Sequence, residues 1–120
     1  YYSEQNAIAS EVGTSRSVLI NHLHCISVLR NKCAHAARLY NTVFNPPAKL
    51  PPSFLKRHPA FKNNTFFAYI LILVQRLPDI VSKMQFCCDL NTVIEYYSED
   101  IDLSLIGFLP GYELILTEFI

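Results

Sequence analysis

Ser17-Val18-Leu19-Ile20-Asn21-His22-Leu23-His24-Cys25-Ile26-Ser27-Val28-Leu29-Arg30-Asn31-Lys32-Cys33-Ala34-His35-Ala36-Ala37-Arg38-Leu39-Tyr40 is the stretch that decides the fold class. On a wheel of about 100° per residue with His24 at zero, Asn31 falls at about −20°, His35 at about +20° and Arg38 at about −40°. Ser27 lies beside them at about −60°, with Arg30 further round at about −120°. The opposite side carries Leu19, Ile26, Leu29, Cys33, Ala36 and Tyr40. An apolar back and a polar front sustained over this length describe an amphipathic helix. Ser15 or Ser17 caps its start, it runs to about Tyr40, and Asn45-Pro46-Pro47 ends it.

Outward from that helix the punctuation stays helical. Pro51-Pro52 closes a stiff loop, and Pro52 to His58 is expected to form one short turn with Pro52 at its first position. Asn63 or Asn64 is expected to cap a helix from about Thr65 to Arg76, apolar nearly all round and therefore buried at the centre. After Pro78, the near-helical recurrence of Ile80, Met84, Cys87, Ile94 and Tyr97 predicts one long or two broken helices to about Ser98. Gly107 and Pro110-Gly111 predict a turn and a short helix in the tail. Strand alternation is weak throughout and no internal repeat is visible. The expected class is all-α, in a single domain over residues 1–120.

Composition narrows the rest. The chain has 120 residues, 51% apolar and 17% charged, enough to bury a core and too apolar for a disordered tail. Its longest apolar run, Phe66 to Val74, falls well short of the roughly 20 residues of a membrane span. Tyr1 to Ser10 has neither the basic start nor the apolar stretch of a signal peptide. The absence of an initiator Met leads us to expect a fragment or a processed product of a longer chain. Cys25, Cys33, Cys87 and Cys88 have no CxxC spacing. Cys25 and Cys33 are about 12 Å apart along one helix, too far for a disulfide. Reduced, mostly buried thiols in a cytoplasmic protein are the expectation. No cofactor and no metal site is expected.

Net charge is zero, but its distribution is lopsided. Nine of the ten Lys and Arg residues and no acid lie between Val12 and Pro78; from Asp79 onward there are eight acids and one base, Lys83. Either the basic part holds a polyanion or the two parts attract each other within the fold. The polar front of the helix sharpens the question. A merely solvated face is usually built from Glu and Lys in i,i+4 pairs, and this front has no acid. Imidazole, amide and guanidinium together suit a phosphodiester: a proton shuttle near neutral pH, an orienting amide and a planar phosphate clamp.

The string Arg30-Asn31-Lys32-Cys33-Ala34-His35 resembles the R-N-x3-H form of the R-x4-6-H motif of HEPN ribonuclease domains. The longer run Leu29 to Asn41 resembles the "LRN-x-CAHH-x-RLYN" signature of Abi-like (abortive infection) proteins, with Ala36 in place of the second His. Ile106-Gly107-Phe108-Leu109-Pro110-Gly111-Tyr112 is similar to that family's "MGFP-x-x-W" ending, with an inserted Leu and Tyr for Trp. The resemblance covers about Val18 to Tyr112, and the family's usual N-terminal helices are expected to be absent. It implies a HEPN-like helical bundle, a homodimer with a composite site, phage or toxin defence, and metal-independent RNA cleavage. Carried over by motif position, Arg30, Asn31 and His35 are the catalytic residues. Arg38, Lys32 and His24 are expected to touch RNA, and a cognate antitoxin or other defence-system partner is implied. Arg30 and His35 lie about 140° apart on the wheel, so their convergence needs Arg30's long side chain, a local distortion or a dimer seam.

Plainer roles stand beside these. His24 is a helper or polar surface, His22 a packed histidine and His58 a loop-surface residue; Arg38 equally suits a charge at a helix C-terminus. Tyr40 and Phe44 are base-stacking candidates, although aromatics after an apolar face are more often core, as Phe66, Phe67 and Tyr69 are expected to be. Two further functions remain open. Ala9 to Leu19 resembles a helix-turn-helix, which predicts duplex DNA as ligand. A non-catalytic RNA-binding or toxin-partner scaffold of the same fold is the other.

Overall fold

The computed structural model describes residues 2–11, 13–34 and 42–120. They form α1 (Tyr2–Glu11), α2 (Arg16–Ala34), α3 (Pro52–Arg57), α4 (Phe66–Arg76), α5 (Ile80–Tyr96), a 3₁₀ turn (Leu103–Ile106) and α6 (Tyr112–Thr117), with no strand among the described residues. The all-α expectation holds. Hydrophobic periodicity does not announce α1; only the Ala9-Gly13-Ser15 pattern hints at it. Gly13, at φ 73°, closes α1 as the Gly13 and Thr14 N–H groups reach back to Ser10 O and Ala9 O. Ser15 then caps α2, its Oγ accepting the Val18 N–H at 3.3 Å. The expected extension of α2 to Tyr40 falls on 35–40, outside the described residues.

α4 is the central helix, with Phe67 to Ile72 and Val74 all buried. It packs against α2 and α5, while α1 packs on α2. Its cap is Thr65, whose Oγ1 accepts the Ala68 N–H at 3.2 Å, and not Asn63 or Asn64. The backbone carbonyls of the two asparagines are bound across the fold: Asn64 O accepts the Phe44 N–H and Asn63 O the Ala48 N–H, both at 2.8 Å. Those bonds tie the loop after α2 to the start of α4. Asp79 caps α5 by accepting the Ser82 N–H at 2.7 Å, which holds its carboxyl below the usual carboxylate range. α5 is one unbroken helix to Tyr96.

Aromatic rings carry the core across the elements. Phe67 on α4 lies 4.3 Å from Phe108 and 5.9 Å from Phe61, centroid to centroid, and Phe54 on α3 meets Phe61 and Phe119 at 5.1 Å. The 3₁₀ turn ends on Gly107 at φ 89°, where an added Cβ would sit 2.4 Å from Thr65 side-chain atoms. Only glycine permits so close an approach of the tail to the α4 cap. α6 is latched to α3 by Glu118, which accepts from Arg57 Nε and Nη2 and lies 2.8 Å from His58 Nε2. Burial pushes the Glu118 carboxyl up, but the Arg57 and His58 bonds outweigh it and hold it below its ordinary range. His58 is therefore a half-buried partner of Glu118 whose ring meets Phe54 at a tilt of 46°, not loop surface.

Two further expectations change. Cys25 and Cys87 are buried, but Cys33 and Cys88 are exposed, and all four are free thiols. Of the two readings of the lopsided charge, attraction within the fold has one Lys or Arg salt bridge to show between described residues, Arg57–Glu118 at the α3–α6 latch. No described helix is long and apolar enough to cross a membrane.

Candidate functional site

α2 is built to hold its outer face still. Its buried stripe is His22, Cys25 and Leu29. That stripe is turned by about 40° from the apolar back expected on the wheel. Leu19 and Ile26 are only half-buried and Cys33 is exposed. Hydrogen bonding explains the turn, because the inward polar residues grip the 46–49 loop. Asn21 Nδ2 donates to Pro47 O at 2.9 Å, and its Oδ1 accepts the Lys49 N–H at 2.8 Å. His22 Nε2–H donates to Lys49 O at 2.7 Å, and the Cys25 thiol contacts Asn21 Oδ1 and Pro46 O. From the other side Tyr69 of α4 donates its hydroxyl to Pro46 O at 2.5 Å. Asn21, His22 and Tyr69 thus join α2, the loop and α4, a positioning role that hydrophobic periodicity could not show. Asn21, polar and on the flank of an otherwise packing helix, was its one visible signal.

His22 is buried as expected, and its Nδ1 has no hydrogen-bond partner among the described residues. Burial, helped by the nearby Arg76 charge, holds its pKa below the ordinary imidazole value despite the Lys49 bond. An unfolded imidazole takes up a proton near pH 6.5. The folded one resists, so its full contribution to stability is present above about pH 6.5 and is lost as pH falls below it. Urea midpoints should therefore drop between about pH 6.5 and 5. His22→Gln should be less stable at pH 8 but lose much of that slope; parallel pH curves for the two proteins would refute the assignment.

The outer face bears Arg30 and Asn31, both exposed, and the Arg30 Nη1 donates to Asn31 Oδ1 at 3.1 Å. The bond fixes which way the amide points, and the rest of the guanidinium fork has no hydrogen-bond partner among the described residues. His24 and Ser27 are exposed on the same side. That face is less purely polar than expected, since Ile20 and Leu23 are 43% and 54% exposed there. Lys32, expected to touch RNA, is half-buried, with Nζ 5.2 Å from the centroid of the buried Phe44 ring. The cation–π contact directs it back to the fold, and Phe44, wholly buried, is core and not a base-stacking ring. His35, Arg38 and Tyr40 lie outside the described residues. No three His, Cys, Asp or Glu side chains cluster as a metal site among the described residues.

Arg16, the one base at the start of the helix in the helix-turn-helix comparison, is turned inward to α1. Its Nε donates to Gln5 Oε1 at 2.7 Å and its guanidinium sits 4.2 Å from the Tyr2 ring centroid. A cavity of about 440 Å³ opens beside the start of α4, lined in part by Val43, Lys62 and Asn64 and by Ile106 to Pro110 of the tail motif, while Arg30 and Asn31 do not border it. Arg30 and Asn31 thus stand on an exposed helix face and not in that cavity. No curated protein and no solved structure matches the chain. Residues 1–41 match the family described as Abi-like protein, a stretch that takes in α1, α2 and the whole Arg30-to-His35 string and stops short of the tail at 106–112.

Proposed function

We propose that this chain is a metal-independent endoribonuclease of the abortive-infection type, a HEPN-like domain over residues 1–120 that acts as a cytoplasmic toxin. The observation that carries it is the acid-free outer face of α2, where Arg30 and Asn31 are exposed and joined, inside the stretch that matches the Abi-like family. The RNA's own 2′-OH is the nucleophile. His35 of one protomer takes its proton, the 2′-oxygen attacks the adjacent phosphorus, and the bond to the 5′-oxygen breaks. His35 of the second protomer, or water, protonates that leaving oxygen. Arg30 faces the charge that builds on the phosphoryl oxygens, and Asn31 orients the imidazole or the phosphate. His24 and Arg38 extend the contact along the strand. The DNA-reading alternative is disfavoured because its basic residue, Arg16, is already held by Gln5 and Tyr2.

The test is incubation of the chain with single-stranded RNA in excess EDTA. Cutting is expected, with 2′,3′-cyclic phosphate and 5′-hydroxyl ends. DNA of the same sequence, and RNA methylated at the 2′-oxygen of the cut site, must resist. Loss of cutting in EDTA or cutting of DNA would overturn the mechanism. Binding of RNA without any cutting would establish the scaffold reading instead.

A further inference from the structure

α5 turns an entire helical face to solvent. The rows that begin at Ile80 and Val81 and step by four to Tyr96 and Tyr97 are exposed at every position. Six of these residues are large and apolar: Ile80, Val81, Met84, Val93, Tyr96 and Tyr97, each between 47% and 80% exposed. Scattered apolar side chains on a surface need no explanation, but two adjacent ridges running the length of a 17-residue helix do. Ridges of i±4 spacing are the ones that interdigitate in the commonest class of helix packing. The opposite face of α5, with Phe86, Cys87 and Ile94, already packs on the core.

Charge selects the occupant. Asp79, Asp89 and Glu95 lie on or cap α5, and Glu99, Asp100 and Asp102 follow it; all six are exposed, and none is salt-bridged to a Lys or Arg among the described residues. The single base of α5, Lys83, sits half-buried on its inner side. A two-fold pairing of α5 with its own copy would centre near Cys88 and set Asp89 against Asp89, like charge on like. The acid-free α2 offers only Ile20 and Leu23 as exposed large apolar partners, too few to fill both ridges. An anionic lipid surface would be repelled. We infer that α5 is a docking face for a basic amphipathic helix of a partner polypeptide, with Leu- or Ile-type residues between the ridges and Lys or Arg against Asp89 and the acidic end at Glu95 to Asp102.

The probe is a synthetic 18-residue helix with Leu on one face and Lys on its flanks, labelled and titrated with the whole chain by fluorescence anisotropy. A scrambled peptide of the same composition, and one with Glu for Lys, are expected to bind at least ten-fold more weakly. Met84→Glu combined with Val93→Glu should weaken the Leu/Lys peptide at least ten-fold. Asp89→Lys combined with Glu95→Lys should reverse the preference toward the Leu/Glu peptide. All four positions are exposed, and unchanged thermal transitions verify the fold. No binding of the Leu/Lys peptide, equal binding of the scrambled one, or insensitivity to both double variants would each overturn the proposal. So would sedimentation showing a wild-type dimer that Met84→Glu/Val93→Glu dissociates, because the occupant would then be a second copy.

Discussion

His35→Ala should cut RNA about 10²–10⁴-fold more slowly than the parent chain, the range a positioned general acid–base group supplies, while the thermal transition stays in place. If two protomers share the work, the loss falls at the upper end, because one substitution removes both the base and the acid. The pH profile of the parent should be bell-shaped. The rate falls in acid as the accepting imidazole becomes protonated, and again in base as the donating one loses its proton. Arg30→Ala should also lose cutting without losing stability, because the guanidinium is exposed and its one described partner is the adjacent Asn31. Arg30→Lys should restore only part of the rate, since an ammonium cannot span two phosphoryl oxygens as a planar fork does. Full activity in His35→Ala would remove the imidazole from the chemistry. A merely structural role for His35 would instead move the melting temperature together with the rate.

Most of the helices were legible in the sequence because they have local causes: Ser15 as a cap, Pro52 at a first position, Pro78 before α5, Gly107 and Gly111 as breaks. Phe67 to Val74 announced the central helix because a helix apolar on every side has nowhere to go but inside. What failed were choices among residues with similar local potential. Thr65, Asn64 and Asn63 are all competent caps, and Thr65 takes the role because it holds the extended position next to the first helical residue, while the backbone carbonyls of Asn64 and Asn63 are bound to Phe44 and Ala48. Similarly, residue type marks Asn21 and Lys32 as polar and surface-seeking, but the loop at 46–49 and the Phe44 ring supply partners that draw them in, whereas His22 packs inside as its place on the apolar side required. α1 escaped because its own residues are nearly neutral in periodicity and it is held by α2. Of the motif, Arg30 and Asn31 stand exposed on α2 as the wheel required, with an unforeseen bond between them.

Phe67→Ala should cost about 3–5 kcal/mol, the largest stability loss we expect of any single truncation outside the site. Phe67 is wholly buried and its ring is the junction of three others, Phe61, Phe108 and Tyr112, at 5.9, 4.3 and 6.5 Å. Those rings belong to the segment before α4, the tail after the 3₁₀ turn and α6, so no single neighbour can relax into the space without releasing another. A chain of this size has roughly 6–18 kcal/mol of net stability at about 0.05–0.15 kcal/mol per residue. The truncation therefore removes a large share, and a drop of about 10–20 °C in melting temperature follows. Tyr96→Ser is the control: at 80% exposure on α5 it should shift stability by no more than about 0.5 kcal/mol. Comparable losses for the two substitutions would mean that α5 packs against something in solution, and so would bear on its docking face. A small loss for Phe67→Ala would mean that the aromatic junction is loosely packed, and the tail would then owe its place mainly to Glu118 and the contact at Gly107.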